Sequence, residues 1–453
     1  MRVATTRIAV IGAGPSGIAA GRNVIESGLG DGLVVFEKSD QAGGNWVFRE
    51  EASHSSVYST THIISSKFHS AYEDFPFPDG TPDYPSHDHL RQYFQAFSKH
   101  FGVHGKTRYH TEVLKAAPGM DGQGWDITSR KAGGAEKTEH FDVLMVSNGH
   151  HWNPKLPQYP GQFDGEFIHS HQFKRNEPFK GKRVLVIGGG NSGADVAVEC
   201  SRVAKRTCIS MRRGHWFMPK FMFGEPGDVM YQKTAWLPPW LRQWLLQTTN
   251  VLIQGKHTRL GLQTPDYGIL EGHPTLNSEL YYSIGHGEVT PKLGVTRLDG
   301  KTVHFADGSS EEFDVIVCAT GYKITLPFFD KSLIDFEEKN EVPLWRKMFH
   351  AEHPSLYFIG LFQPLGCIWP VADYQAMLAC AEITGKYQRP ANLKALIQDE
   401  IDHPHFAFYK SPRHATEVDY MTFRKELLTE LKKAGLGSRE LPEKSLMSYV
   451  QAA

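Results

Sequence analysis

One pattern occurs twice in this chain and constrains its fold more than any other feature. Arg7 to Gly17 reads RIAVIGAGPSG, and Arg183 to Gly193 reads RVLVIGGGNSG. Each is a β-branched apolar run that stops at Gly-x-Gly-x-x-Gly and passes into an Ala- and Val-rich stretch with helical spacing. A strand, a tight turn and a helix in that order are the setting in which such glycines bind a dinucleotide. Phe141 to Gly149 (FDVLMVSNG) and Phe313 to Gly321 (FDVIVCATG) then follow their respective turns at similar distances. Both read as buried strands ending in glycine, so each unit returns a parallel strand to its own sheet. The expected fold is α/β, with two Rossmann-type dinucleotide-binding domains, the first discontinuous and the second inserted into it. The expected boundaries are 1–165 with 305–453 for the first domain and 166–304 for the second. A proline- and aromatic-rich insertion is expected around 217–273, and the Pro/Gly-rich stretch at 153–165 reads as a connection. The stretch 373–431 reads as mostly helical.

In the first turn, Gly12 is expected to take a backbone angle barred to other residues. Gly14 would let a pyrophosphate approach the chain, and Gly17 would let helix and strand pack closely. The helix that follows offers free N–H groups to phosphate. Glu37 ends the next strand about 20 residues later, where an acid binds ribose hydroxyls and repels a 2′-phosphate. This turn therefore suits FAD or NAD better than NADP. Gly44, Asn45 and Trp46 come next; glycine allows close passage beneath a ring system, and Trp can cover a planar ligand.

The second turn repeats the glycines as Gly188, Gly190 and Gly193, with Ser192 among them. Its next strand ends in Met211-Arg212-Arg213, with no acid. Two guanidinium groups there suit the 2′-phosphate of NADPH, because Arg grips phosphate in a bidentate way.

Composition narrows the function classes. A formal net charge of −1 over 453 residues gives no reason to expect a nucleic-acid partner. The five cysteines show no C-x-x-C spacing, which speaks against a dithiol–disulfide reductase on the same two-nucleotide plan. Low cysteine usage, with no signal peptide read at the N-terminus, fits a cytoplasmic enzyme. The most apolar stretch, 235–254 (AWLPPWLRQWLLQTTNVLIQ), is broken by Pro238, Pro239 and Arg242. It reads as a lid, an interface or a membrane-surface helix rather than a transmembrane segment. Trp236, Trp240 and Trp244 recur there at i, i+4 spacing, more often packing or an interface than a substrate cage. For the assembly, a homodimer is the default expectation.

Along nearly its whole length the chain resembles the flavin-containing monooxygenases of the soluble, bacterial type, a class B flavoprotein group. Phe163-x-Gly165-x-x-x-His169-x-x-x-Phe173 matches the family signature and sits just before the second glycine turn. Gly44 to Trp46, Asp74 to Pro78 (DFPFP), Ala319 to Tyr322 (ATGY) and Gly360 to Gly366 (GLFQPLG) are similar to further family elements. The resemblance implies that NADPH passes hydride to FAD, and that O2 then forms a flavin C4a-hydroperoxide. One oxygen passes to a soft nucleophile on a small-molecule substrate, an amine nitrogen or a sulfide sulfur. It also implies flavin contacts by His54, by the Val113 backbone and by Gln363, and a positioning role for His169.

The chain departs from the family at one position. The asparagine that usually precedes the DFPFP-like segment is Ile64 here, followed by Ser65 and Ser66. These serines are the expected substitutes, and weakly coupled NADPH oxidation is the corresponding alternative. A Baeyer–Villiger ketone oxygenation is a second alternative, although Phe173-Lys174 stands where that group carries Trp.

Overall fold

The computed structural model describes residues 5–439 except 52, 338, 407 and 409–413. The first four residues, those after 439 and the gaps at 407 and 409–413 fall within segments read above; these lie outside the described residues. The chain divides into two compact units, 1–47 with 65–150 and 324–453, and 48–64 with 151–323.

The first unit is built on a parallel sheet in the order 356–358, 143–146, 8–11, 33–36, 107–108. Its central strand, Ile8–Ile11, is buried throughout and pairs Ile11 with Phe36 on one side and with Val146 on the other. A continuous apolar run is what a parallel strand covered on both faces requires. Helix Pro15–Glu26 follows, with Gly14 at its N-cap and Pro15 in its first turn, where the missing N–H costs nothing. Its small buried residues Gly17, Ala19 and Ala20 allow close packing against helix Trp369–Ile383, which is buried over most of its length. An antiparallel sheet of Thr111–Pro118, Trp125–Lys131 and Glu136–Phe141 adds Trp125 and Ile127 to the core.

One buried polar cluster ties distant parts of this unit together. Arg22 of the first helix forks onto Asp74 and lies 3.9 Å above the Phe101 ring. Arg439 donates to buried Asp373 at 2.6 Å and to Asn23 at 2.7 Å. Asn23 in turn donates to Asp373 at 2.7 Å.

The second unit has the same plan. Its sheet runs 166–169, 315–318, 183–187, 206–210, 289–292, every neighbouring pair parallel. Helix Asn191–Ser201 covers the central strand. Strands Val295–Gly300, Thr302–Phe305 and Ser310–Glu312 form an antiparallel sheet that Gly161–Phe163 extends. Gly161–Phe163 and Val315–Cys318 thus lie in the second unit, although the sequence boundaries at 165 and 304 leave both with the first. The reason is pairing: Val315–Cys318 fills the place beside Arg183–Ile187 that the internal symmetry demands. Within the insertion, helices Gly227–Lys233 and Pro239–Gln254 stand between short strand pairs. Among the described residues, no helix is long and apolar enough to cross a membrane.

Candidate dinucleotide sites

The two glycine turns are built alike. Gly12 has φ +98° and donates its N–H to Phe36 O at 2.8 Å; Gly188 has φ +125° and donates to Ser210 O at 2.9 Å. A side-chain carbon on Gly12 would meet Ser147 O at 2.6 Å, and one on Gly188 would collide with Ala319 O. A carbon on Gly17 or Gly193 would land on the carbonyl oxygen of Gly12 or Gly188 respectively. Each turn is therefore a bare backbone cradle at a helix N-terminus, the shape and polarity that a pyrophosphate needs. Gly14 and Gly190 are the N-caps of the two helices, and neither helix has a side-chain cap to occupy those amides.

Around the first turn, the structure gathers most of the predicted residues. Gly44 (φ +54°) crosses so close to Gly14 that an added side-chain carbon would lie 2.8 Å from the Gly14 Cα. Glu37 is buried, and its two oxygens accept from the N–H groups of Ala13 and Ser39, both at 2.7 Å. The expected ribose ligand is thus also the brace that sets the turn's shape. A carboxylate has lone pairs left for a further donor. Val113 follows closely, since Thr111 donates to Glu37 O at 2.8 Å. Trp46, in the turn Gly44–Trp46 with Asn45, meets Trp369 edge-on at 5.9 Å, and Trp369 donates its indole N–H to Ser70 O at 2.5 Å.

Ser65 and Ser66 are buried; the Ser65 hydroxyl is bonded to that of Ser70 at 2.8 Å, and Ser66 stands at the N-cap position of the short helix Lys67–Ser70 without a side-chain capping bond. Gln363 pairs in register with Glu417, and its side-chain oxygen lies 3.5 Å from His150 Nε2. Burial lowers the pKa of His150 and keeps the ring neutral. The sequence reading did not single out His150, although it directly follows the glycine that ends the strand pattern at 141–149. Gly360, which opens the GLFQPLG element, lies against Ser16 at the start of the first helix.

Around the second turn, Ser192 is exposed on the first turn of its helix. Its neighbour Asn191 does the tying: its Oδ1 accepts from Leu276 N at 2.8 Å and its Nδ2 donates to Pro274 O at 3.3 Å. Thr275 donates to Gly189 O at 2.7 Å, so the end of the insertion is fastened to the turn. Arg212 is exposed beside Gly294, while Arg213 is half-buried with its guanidinium 5.5 Å from the Tyr267 ring centroid.

The signature motif is a clamp within the second unit. His169 is buried, and its Nε2 donates to Gly321 O at 3.0 Å while its Nδ1 accepts from His171 N at 3.1 Å. Burial pushes its pKa down to about 4, so the ring is a neutral spacer. His171 donates to Ser53 O at 2.6 Å, and Lys174 donates to Ser55 O at 2.7 Å and Val57 O at 3.3 Å. Tyr58 donates to Asp195 at 2.9 Å on the helix after the second turn. His54, expected at the flavin, lies on this clamped segment of the second unit.

Comparison with known proteins extends these local features to the whole chain. The family model described as "FMO-like: Flavin-binding monooxygenase-like" matches residues 5–436. Flavin-containing monooxygenase 5 of Homo sapiens is 34% identical over 446 residues, covering 93% of this chain and 82% of that protein. Dimethylaniline monooxygenase [N-oxide-forming] 2 of Rattus norvegicus is also 34% identical over 446 residues, covering 94% and 82%. Among solved structures, S-allyl-L-cysteine S-oxygenase from Allium sativum shares the fold with a TM-score of 0.70 at 21% identity, covering 98% of this chain and 91% of that one. With two matching glycine cradles and a family match spanning nearly every described residue, the chain belongs to the flavin-binding monooxygenase-like family.

Proposed function

We propose that the first unit holds FAD on Gly12, Gly14, Gly17, Glu37 and the turn Gly44–Trp46, and that the second holds NADPH on Gly188, Gly190, Gly193, Arg212 and Arg213. As a member of its family, the chain is an FAD- and NADPH-dependent monooxygenase that places one oxygen atom of O2 on a small soft nucleophile. The observation carrying the residue assignment is that two cradles with the same glycine backbone contacts differ in the charge that ends the next strand. Bound flavin supplies the redox and oxygen chemistry. The chain's own work is to bind, orient and exclude water. Glu37 fixes the first turn and offers its spare lone pairs to a ribose. Trp46 and Trp369 form an apolar wall. His169, neutral and bonded at both ring nitrogens, holds Gly321 in place and moves no proton.

The N-oxide-forming name of a relative supports amines as substrates, and the S-oxygenase name of a structural neighbour points to sulfides. NADPH oxidation, followed with an amine, a sulfide and a cyclic ketone while peroxide is quantified, tests this reading. Substrate-dependent product from the amine or sulfide supports it. Product from the ketone alone favours Baeyer–Villiger chemistry, and peroxide alone favours an uncoupled oxidase. The half-buried Ile64 cannot hydrogen-bond through its side chain, and the Ser65 hydroxyl is engaged by Ser70. Ile64→Asn is therefore expected to lower peroxide release per NADPH consumed; unchanged release would remove Ile64 from the account. All five cysteines are buried free thiols, which supports a reducing, cytoplasmic setting.

A further inference from the structure

The helix that opens the second cradle, Asn191–Ser201, has no side-chain cap, so its position is set by ties from elsewhere. In the first unit Glu37 braces the turn by accepting from Ala13 N. By strand register Met211 takes the place of Glu37, since Ile11 pairs with Phe36 and Ile187 with Ser210. A carbon added to Gly189, the counterpart of Ala13, would lie 2.5 Å from the Met211 sulfur. A thioether is a weak acceptor, so this side chain cannot give the second turn the same brace.

The helix itself carries a replacement. Asn191 and Asp195 stand four residues apart and share one face. Pro274 to Asn277 runs along that face. Asn191 holds Pro274 and Leu276, Thr275 holds Gly189, and Asn277 Nδ2 donates to Asp195 Oδ1 at 2.5 Å. The Asn277 amide is itself oriented, because its Oδ1 accepts from Leu280 N at 2.7 Å. The other Asp195 oxygen accepts from Tyr58 Oη at 2.9 Å. Asp195 thus joins a residue 137 positions before it to one 82 positions after it. Burial pushes the pKa of its carboxyl up, while Lys220 and the bonds from Asn277 and Tyr58 pull it down. At the matching places the first helix has Pro15 and Ala19, whose side chains make no hydrogen bonds.

We propose that Asp195 is a positioning residue for NADPH: by holding Asn277 and Tyr58 together, it fixes the helix start against which the pyrophosphate lies. The inference rests on the assignment of NADPH to the second unit. Asp195 acts through the backbone N–H groups of that helix start, which is where a phosphate is gripped.

The test uses the flavin-loaded full chain and measures NADP+ affinity by calorimetry, so that it reads binding apart from turnover. Asn277→Asp sets two carboxylates against each other and should raise the Kd for NADP+ by about tenfold or more. Adding Asp195→Asn to it restores one donor and one acceptor with their places exchanged, and should return the Kd to within about threefold of the wild type. Tyr58→Phe, which removes the other donor, should weaken binding by about threefold or more. Adenosine 2′-monophosphate, which carries no pyrophosphate, should bind all variants as it binds the wild type, read by ligand-observed NMR. Unchanged NADP+ affinity in Asn277→Asp, or failure of the exchanged pair to restore it, overturns the proposal. So does a parallel loss of adenosine 2′-monophosphate binding, which would mean that the unit as a whole is damaged. A wild type that binds no NADP+ would instead overturn the nucleotide assignment, and this inference with it.

Discussion

The first and second glycine turns can be compared almost atom for atom. Gly12 and Gly188 lean on carbonyl oxygens of equivalent strands, Ser147 and Ala319 respectively. Gly17 and Gly193 press on the first glycine of their own turns. The turns part company where the next strand ends. There the first unit buries Glu37 against two backbone N–H groups, and the second unit displays Arg212 and Arg213. They also differ in what secures them. The first turn is braced by that same acid, whereas the second is tied by Asn191 and Thr275 to a segment more than 80 residues further on. On the proposed assignment, the cradle would serve pyrophosphate alike in both units, and the end of the next strand would choose between a ribose hydroxyl and a ribose phosphate.

The largest effect that could break this comparison comes from filling the cradles one at a time. Gly17→Ala is expected to yield protein without bound flavin. Gly193→Ala is expected to keep the yellow colour and lose NADPH-dependent flavin reduction by about 100-fold or more, since a misplaced turn forfeits several phosphate contacts. Absorbance spectra and anaerobic reduction rates separate the two. If Gly193→Ala lost flavin instead, the ligand assignment would be reversed.

A smaller effect sharpens the difference between strand ends. Arg213→Ala should raise the KM for NADPH by about 10- to 100-fold, the worth of a charge-assisted pair to phosphate, and leave that for NADH nearly unchanged. Steady-state kinetics with both nucleotides decide it, and an equal rise for the two would remove Arg213 from phosphate recognition.

The smallest effect concerns the clamp, for which the first unit has no equivalent signature. The pKa of His169 falls from the ordinary 6.5 to about 4 on folding. Below pH 6.5 the unfolded chain takes up a proton that the folded chain refuses. Stability from this group is therefore fully present above pH 6.5 and declines as pH falls towards 4. Chemical denaturation of His169→Asn across that window should show a shallower loss of stability with acid than the wild type. Parallel slopes would mean that the histidine is not held neutral.

Much of the fold was legible because parallel strands covered on both faces leave a plain trace, an apolar β-branched run ending in glycine. All four runs picked out in this way are central or adjacent strands of the two five-stranded sheets. The glycine roles were legible for the same reason, since they depend on local backbone shape. Side-chain bonds to backbone carbonyls far away in sequence were not. Nothing in the composition of 48–64 says that Lys174 and His171 will seize its carbonyl groups and hold it, with His54, in the second unit. Glu37 was expected as a ligand for ribose and not as a support for Ala13, because both tasks call for the same residue in the same place. The tryptophan stripe was visible as spacing; only the burial of Arg242 and Asn250 reveals which way the helix faces.

The polar cluster around Asp373 bears on how the chain is made. Arg439 reaches back to Asn23, and strand Leu356–Phe358 completes the sheet begun at Ile8. A ribosome emits the whole of 151–323 before either closing piece exists. The unit that starts first is therefore finished last, and during that delay its opening helix carries Asn23 without Asp373 and Arg439, the partners that arrive at the far end of the message.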